Sequence, residues 1–342
     1  MTTGPTPTEA WLSGPGATQF FTRTYVPTGA APRAVVVALH GFAEHCGRFT
    51  HFHPRLAARG IAVFAYDQRG FGLTAQDTTG KRSKGSAYGK TSWREQMADT
   101  AWAVGHASEA FPGVPLFLLG HSMGGGEVLG FAVEGRDQHK DAFKHVSGVI
   151  ATSPLIQQTT PAPKLLRWAG GKLAVLFPNK LMDAEVKPEQ LSHDPKVGEE
   201  YLKDPLVKTM GSLRGLADML EAGDRLLATG VNNWPKDTPV LILHGEGDLV
   251  TSHKASQTFH DKIAATKKKI SIFPGGFHEL QNEPDGVPEK LAEEIIAFIE
   301  EHTLTPSTES SAQAPIDRAL DDIIVQATAE ESAGADAVKA KM

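Results

Sequence analysis

Cysteine occurs once in this 342-residue sequence, at Cys46, so no intrachain disulfide can form and a cysteine-based zinc site is excluded. No stretch reaches the roughly 18 consecutive apolar residues that a membrane-spanning helix needs. Positive charge is not in excess: 34 Lys and Arg against 40 Asp and Glu leave a net charge of −6, which argues against a nucleic-acid footprint. No internal repeat is visible. Met1–Leu12 has neither the basic n-region nor the apolar h-region of a signal peptide. Together these absences predict a soluble protein of a reducing, cytoplasmic compartment.

What is present reads as an ordinary globular composition, 40% apolar and 22% charged. Short β-branched apolar runs alternate with longer segments of helical period. Strands are expected at Phe20–Val26, Val35–Leu39, Ile61–Tyr66, Leu116–Leu119, Val146–Thr152, Val240–His244 and Ile270–Phe273. Helices are expected at Ser92–Ala110, Gly124–Glu134, Lys254–Ala265 and Pro288–Glu301. Near-continuous apolar strands separated by helices predict an α/β fold, a mostly parallel sheet covered on both faces.

From Pro154 to Asn233 the rhythm breaks, with Pro and Gly punctuation and no convincing strand. Such a length is too great for a structureless loop, so residues 154–233 are expected to form a helical cap over the strand ends. Residues 18–153 and 234–302 then make the core, and 1–17 a short N-terminal extension. Within the cap, Leu165, Leu166, Trp168, Leu173, Val175, Leu176 and Phe177 cluster among Lys164, Arg167, Lys172 and Lys180. That cluster either packs on the sheet or forms an exposed surface that meets lipid. Residues 303–342 carry seven acids and three bases, and their composition predicts disorder, with one short amphipathic helix around Ile316–Ala327 as an option.

The strongest chemical signal is Gly120-His121-Ser122-Met123-Gly124, which fits G-x-S-x-G. It follows an apolar strand and precedes a helical segment, the context in which a serine sits on a sharp, strained turn. A serine hydroxyl needs a base to take its proton, and the base needs a group that fixes its tautomer. In this fold the order should be serine, acid, histidine. Asp248 follows one late strand and His278 the next, so these are the candidate acid and base; Glu246 is a local competitor for the acid. No carboxylate follows the strand that ends at Thr152. The loop His40-Gly41-Phe42-Ala43-Glu44-His45 should supply one oxyanion donor, the Phe42 N–H, with Met123 N–H as the other.

Other residues invite weaker readings. His40, His45, His51 and His53 could be imagined as a metal cluster, but no carboxylates stand at ligand spacing. Cys46 reads as a small buried filler, since no base is paired with it. Tyr66–Gly72 reads as a turn in which Asp67 and Arg69 make bracing contacts.

Taken together, His40-Gly41-x-x-Glu44-His45-x-Gly47-Arg48, Tyr66-Asp67-x-Arg69-Gly70-x-Gly72, Gly120–Gly125, Gly245-x-x-Asp248-x-Val250 and His278-Glu279 resemble the monoacylglycerol lipase family of serine α/β-hydrolases over about residues 18–302. The resemblance implies hydrolysis of monoacylglycerols without cofactor or metal, and a cap that meets membranes or lipid droplets. It also implies a hydrophobic acyl tunnel and a small polar glycerol pocket shaped by Glu44 and Arg48. Mammalian members carry a second histidine three residues after the catalytic one; here that position is Gln281, whose amide can hydrogen-bond a glycerol hydroxyl. A lysophospholipase, a general carboxylesterase or a cofactor-free haloperoxidase would use the same scaffold. A catalytically silent lipid-binding protein is the rival from another class.

Overall fold

The computed structural model describes residues 4–184 and 186–303. The expectations for the acidic tail lie outside the described residues. Ten strands are described: β1 (Thr8–Ser13), β2 (Gln19–Tyr25), β3 (Ala34–Leu39), β4 (Ile61–Tyr66), β5 (Leu116–His121), β6 (Val146–Thr152), β7 (Leu181–Asp183), β8 (Met210–Ser212), β9 (Val240–Gly245) and β10 (Lys268–Phe273). Eight of them form one sheet in the order β1-β2-β4-β3-β5-β6-β9-β10. Pairing is parallel from β4 to β10 and antiparallel where β1 and β2 close the other edge. The fold is the α/β-hydrolase type that the strand–helix alternation predicts.

The alternation of side chains explains why both faces are covered. Val35, Val37 and Leu39 enter one buried cluster with Val104 of the helix Trp93–Ala110 and Val128 of the helix Met123–Gly130. Ala34, Val36 and Ala38 enter a second cluster with Leu291, Ile295 and Ile299 of the helix Val287–Thr303. A strand buried on both sides has no polar face, and hence reads as a continuous apolar run. Ser92 caps the helix Trp93–Ala110 by accepting from Glu95 N–H, while its hydroxyl donates to the Glu95 carboxylate.

Three elements depart from the sequence reading. The expected N-terminal extension contributes β1, paired along its length with β2. The cap contains a two-stranded antiparallel ribbon, β7 with β8, too short to leave a periodic signal. The helix Leu213–Ala228 begins among cap residues, but Leu226, followed by Val231 and Trp234, enters the first core cluster. That helix is thus also the crossover joining the parallel neighbours β6 and β9.

The chain runs from β3 outward to β4, then returns to place β5 on the other side of β3. Such a reversal opens a crevice at the carboxyl ends of β3 and β5. The loop after β3 and the turn after β5 meet there.

Candidate active site

Ser122 stands between β5 and the helix Met123–Gly130 with φ 53° and ψ −116°, a region that L-residues rarely adopt. Glycine makes this turn passable. A Cβ on Gly120 would lie 2.1 Å from Gly124 O, and one on Gly124 would lie 2.5 Å from Leu39 O. The backbone here is too close to its neighbours for any larger residue, and the strain points the Ser122 side chain into the crevice.

There it meets His278. Ser122 Oγ lies 3.0 Å from His278 Nε2, and His278 Nδ1 lies 2.8 Å from Asp248 Oδ2. The three come from the carboxyl ends of β5, β10 and β9, one edge of one sheet. Asp248 is held on every side. Its Oδ1 accepts from Val250 N–H at 2.7 Å and Thr251 N–H at 2.9 Å, the geometry of an Asx turn. Its Oδ2 also accepts from Thr251 Oγ1 at 2.8 Å and faces His244 Nε2 at 3.1 Å. Burial alone would raise the Asp248 carboxyl, but the His278 and His244 rings outweigh it and hold it well below the usual carboxylate range. Burial likewise opposes charging of His278, yet Asp248 outweighs that and lifts the imidazole above its ordinary 6.5. Glu246, the competing acid, is exposed and faces the Gly275 N–H.

The loop after β3 closes the other side. A Cβ on Gly41 would lie 3.0 Å from the Ser122 Cβ, so this backbone runs directly against the serine. Ala43 takes φ 60° to make the turn. Around it, His40 Nε2 accepts from Gln68 N–H at 2.8 Å, and the Gln68 amide donates to His40 O at 2.7 Å. Burial pushes His40 down to about 4, so the ring stays neutral and its Nδ1–H reaches Gly41 O. Glu44 Oε1 accepts from Gly41 N–H at 2.6 Å. The loop is fixed from both flanks beside the first-turn N–H of the helix that begins at Met123, where helical N–H groups have no partner in their own helix.

Behind the loop lies a charged cluster. Arg48 bridges Glu44 at 2.9 Å and grips Glu279 with two bonds, of 2.6 and 2.9 Å, while its guanidinium sits 5.0 Å from the Tyr201 ring centre. Burial would raise Glu279, but Arg48 holds it low; in Glu44 burial prevails and its pKa is raised. Both Glu44 oxygens are therefore engaged within the protein. Arg48 and Gln281 line an open polar cleft of about 450 Å³ that includes His51, Asp194, Glu200 and Asp204. Glu44 is not among its walls. Separately, Phe42, Phe71, Met123, Leu216 and Met219 line an apolar crevice, closed to a water-sized sphere.

The histidine-rich loop has separate occupations. His45 Nε2 meets Asp204 at 2.8 Å, His51 meets Gln281 O at 3.1 Å, and His53 stacks on Phe49. Among the described residues no group of three or more His, Cys, Asp or Glu is arranged to hold a metal. Cys46 is buried, and burial pushes its thiol well up, away from the reactive thiolate. Asp67 accepts from Cys46 N–H and Leu73 N–H, and Arg69 pairs with Asp99, the bracing contacts expected of that turn.

Sequence reasoning missed Thr251, His244 and Tyr201. The first two carried a signal, a histidine at the strand end four residues before Asp248 and a threonine three after it. Tyr201 comes from the cap and no spacing relates it to Arg48.

A profile described as serine aminopeptidase S33 matches residues 30–285. The chain is 32% identical to a putative monoglyceride lipase of Schizosaccharomyces pombe over 86% of this chain and 74% of that one. It belongs to the monoacylglycerol lipase family. A monoacylglycerol lipase of Mycolicibacterium smegmatis is 29% identical over 87% of this chain and 98% of its own length. Among solved structures, a soluble variant of Saccharomyces cerevisiae monoglyceride lipase in complex with a substrate analogue superposes with a TM-score of 0.75 at 25% identity. That superposition covers 90% of this chain and 98% of the yeast one. The profile match takes in β3 to β10 and leaves β1, β2 and the helix Val287–Thr303 outside it.

Proposed function

We propose that this chain hydrolyses monoacylglycerols to fatty acid and glycerol through an acyl-enzyme on Ser122. The supporting observation is the hydrogen-bonded relay Ser122–His278–Asp248 in a member of this family. Ser122 Oγ attacks the ester carbonyl carbon as His278 Nε2 takes its proton. Asp248 keeps the histidine proton on Nδ1 and stabilises the imidazolium that forms. The N–H groups of Phe42 and Met123 receive the carbonyl oxygen as it becomes negative; loss of one such donor costs roughly 3–4 kcal/mol elsewhere. His278 then protonates the departing glycerol oxygen, and a water deprotonated by the same ring releases the acid. No cofactor enters these steps.

Two cavities, one lined by Met123 beside Ser122 and one by Arg48, which grips the neighbour of His278, suit the two ends of this substrate. The apolar wall of Phe42, Leu216 and Met219 suits an acyl chain once it opens, and the cleft at Arg48 and Gln281 suits hydroxyl groups. Glu44 acts through the Gly41 N–H and Arg48 rather than on the substrate.

The cap supports a second proposal, reversible contact with a membrane or lipid droplet from the cytoplasm. Leu165, Trp168, Val175 and Leu176 are each more than 60% exposed on or beside the helix Lys164–Leu176, and Phe177, Leu181 and Met182 extend the patch. Arg167 ties the helix back to Asp224 at 2.6 Å, so it presents this surface from a fixed base. Among the described residues no helix is long and apolar enough to cross a membrane.

The test is a panel of monoacylglycerol, triacylglycerol, lysophospholipid and short p-nitrophenyl esters with wild type and Ser122→Ala. Monoacylglycerol should be preferred and its turnover abolished by the substitution, along with labelling by a fluorophosphonate. Preference for lysophospholipid or for short esters would reassign the substrate, and retained turnover in Ser122→Ala would remove the mechanism.

A further inference from the structure

His278 lies in a loop after β10 that has little regular structure of its own; Asp248 and Arg48 hold it from the core, and the cap holds it from the other direction in the chain. Glu279 N–H donates to Leu191 O at 2.8 Å, and His278 N–H faces Gln190 O at 3.4 Å. Just beyond, the side chain of Glu283 turns back on the same loop. Its Oε1 accepts from Phe277 N–H, the residue before His278, at 2.5 Å. Its Oε2 accepts from His193 N–H at 3.1 Å, and His193 Nδ1 lies 3.1 Å from both oxygens. The His193 ring stacks on Phe277 with centres 3.8 Å apart. Ser192 Oγ completes the joint, 2.8 Å from Asn282 O.

The Glu283 side chain is 2% exposed, and His193 is the one cationic-capable partner described for it. Burying a carboxylate is costly unless its lone pairs are filled. Here they are filled by one donor from the His278 loop and three from the cap, His193 N–H, His193 Nδ1 and, at 3.4 Å, Ser192 Oγ. The geometry points to Glu283 as a positioning residue for the reaction: it clamps the His278 loop to the cap segment 190–194, so the imidazole reaches Ser122 only while the cap is seated.

The inference rests on reading Ser122, His278 and Asp248 as the hydrolytic machinery, and a short p-nitrophenyl ester keeps the two apart. Wild-type turnover of that ester, abolished by Ser122→Ala, tests the machinery and owes nothing to lipid selectivity. Misplacing a catalytic group by about 1 Å can cost on the order of 100-fold. Glu283→Ala in the full chain should therefore lower kcat about 10- to 100-fold and leave KM within about twofold. It should also move the acid limb of kcat/KM to lower pH, because an imidazole drawn away from Asp248 loses the partner that lifts its pKa. Glu283→Gln retains an acceptor for Phe277 N–H and should recover most of kcat. His193→Ala, at a half-exposed position, should fold normally and shift kcat and the acid limb in the same direction by less. Thermal melting checks that each variant is folded. A folded Glu283→Ala with unchanged kcat, or with lowered kcat and an unmoved acid limb, would overturn the proposal. If Glu283→Ala does not fold, wild-type kcat and acid limb in both Glu283→Gln and His193→Ala would do the same.

Discussion

Replacing Asp248 by Asn changes one oxygen into an amide nitrogen, and the surroundings dictate which. Oδ1 faces two backbone donors, Val250 N–H and Thr251 N–H. An amide nitrogen there would set donor against donor twice, so the Asn carbonyl takes that place and the NH2 takes the place of Oδ2. That NH2 then faces His278 Nδ1, which must accept. The histidine proton moves to Nε2 and points at Ser122 Oγ, leaving no lone pair to take the serine proton. The fold survives, because the two backbone bonds that shape the turn are kept. In a serine protease the corresponding change lowers kcat about 10⁴-fold, which is roughly 5 kcal/mol of barrier at about 1.36 per tenfold. The same loss is expected here in kcat for a short p-nitrophenyl ester, with the melting temperature little altered. Glu246→Gln, at the exposed competitor, should leave kcat within twofold of wild type. A kcat for Asp248→Asn within tenfold of wild type would refute this reasoning.

Because His278 must be neutral to act and its pKa is lifted by Asp248, activity should fall as pH drops through a midpoint above 6.5; a kcat/KM profile with its acid limb below 6 would contradict this. Gly120→Ala forces a Cβ toward the Gly124 carbonyl and should cost about 2–3 kcal/mol in urea unfolding, at the upper end of overpacking penalties, together with most activity. A loss under about 0.5 kcal/mol, the size of a surface-substitution effect, would mean that the elbow has room for a methyl group. Trp168→Asp with Leu176→Asp should weaken sedimentation with phospholipid vesicles severalfold without altering short-ester kcat; unchanged sedimentation would dismiss the cap as a lipid contact.

Much of this was legible in the sequence, for physical reasons. Strands such as Val35–Leu39 and Ile61–Tyr66 are buried on both faces, so their composition alone announces them. Ser122 was legible because the elbow demands glycines at fixed offsets, and Asp248 and His278 because chain order follows strand order. What stayed hidden depends on contacts between distant segments. β1 carries Thr, Glu and Ser with only half-buried apolar residues, and becomes a strand because β2 offers it a row of partners. The Glu44–Arg48–Glu279 cluster joins residues more than two hundred positions apart, and its bracing role appears only when both glutamate oxygens are seen to be taken. For the cap patch, sequence left packing and exposure equally open, and the exposure of Trp168 decides between them.

The stretch that the family profile matches is narrower than the stretch that folds. Cutting the chain to residues 30–285 would remove β1 and β2, laying bare the hydrogen-bonding edge of β4, which is apolar on both faces. It would also strip Leu291, Ile295 and Ile299 from the cluster that covers one side of the sheet, leaving Phe52, Leu56 and Ala57 to cover only part of it. Such an edge and such a side invite pairing with other chains, so a trimmed hydrolase would be expected to aggregate although every residue of its relay is intact. The profile's borders and the borders of a self-contained fold thus differ in this molecule, and the outer ones run from β1 to the helix Val287–Thr303.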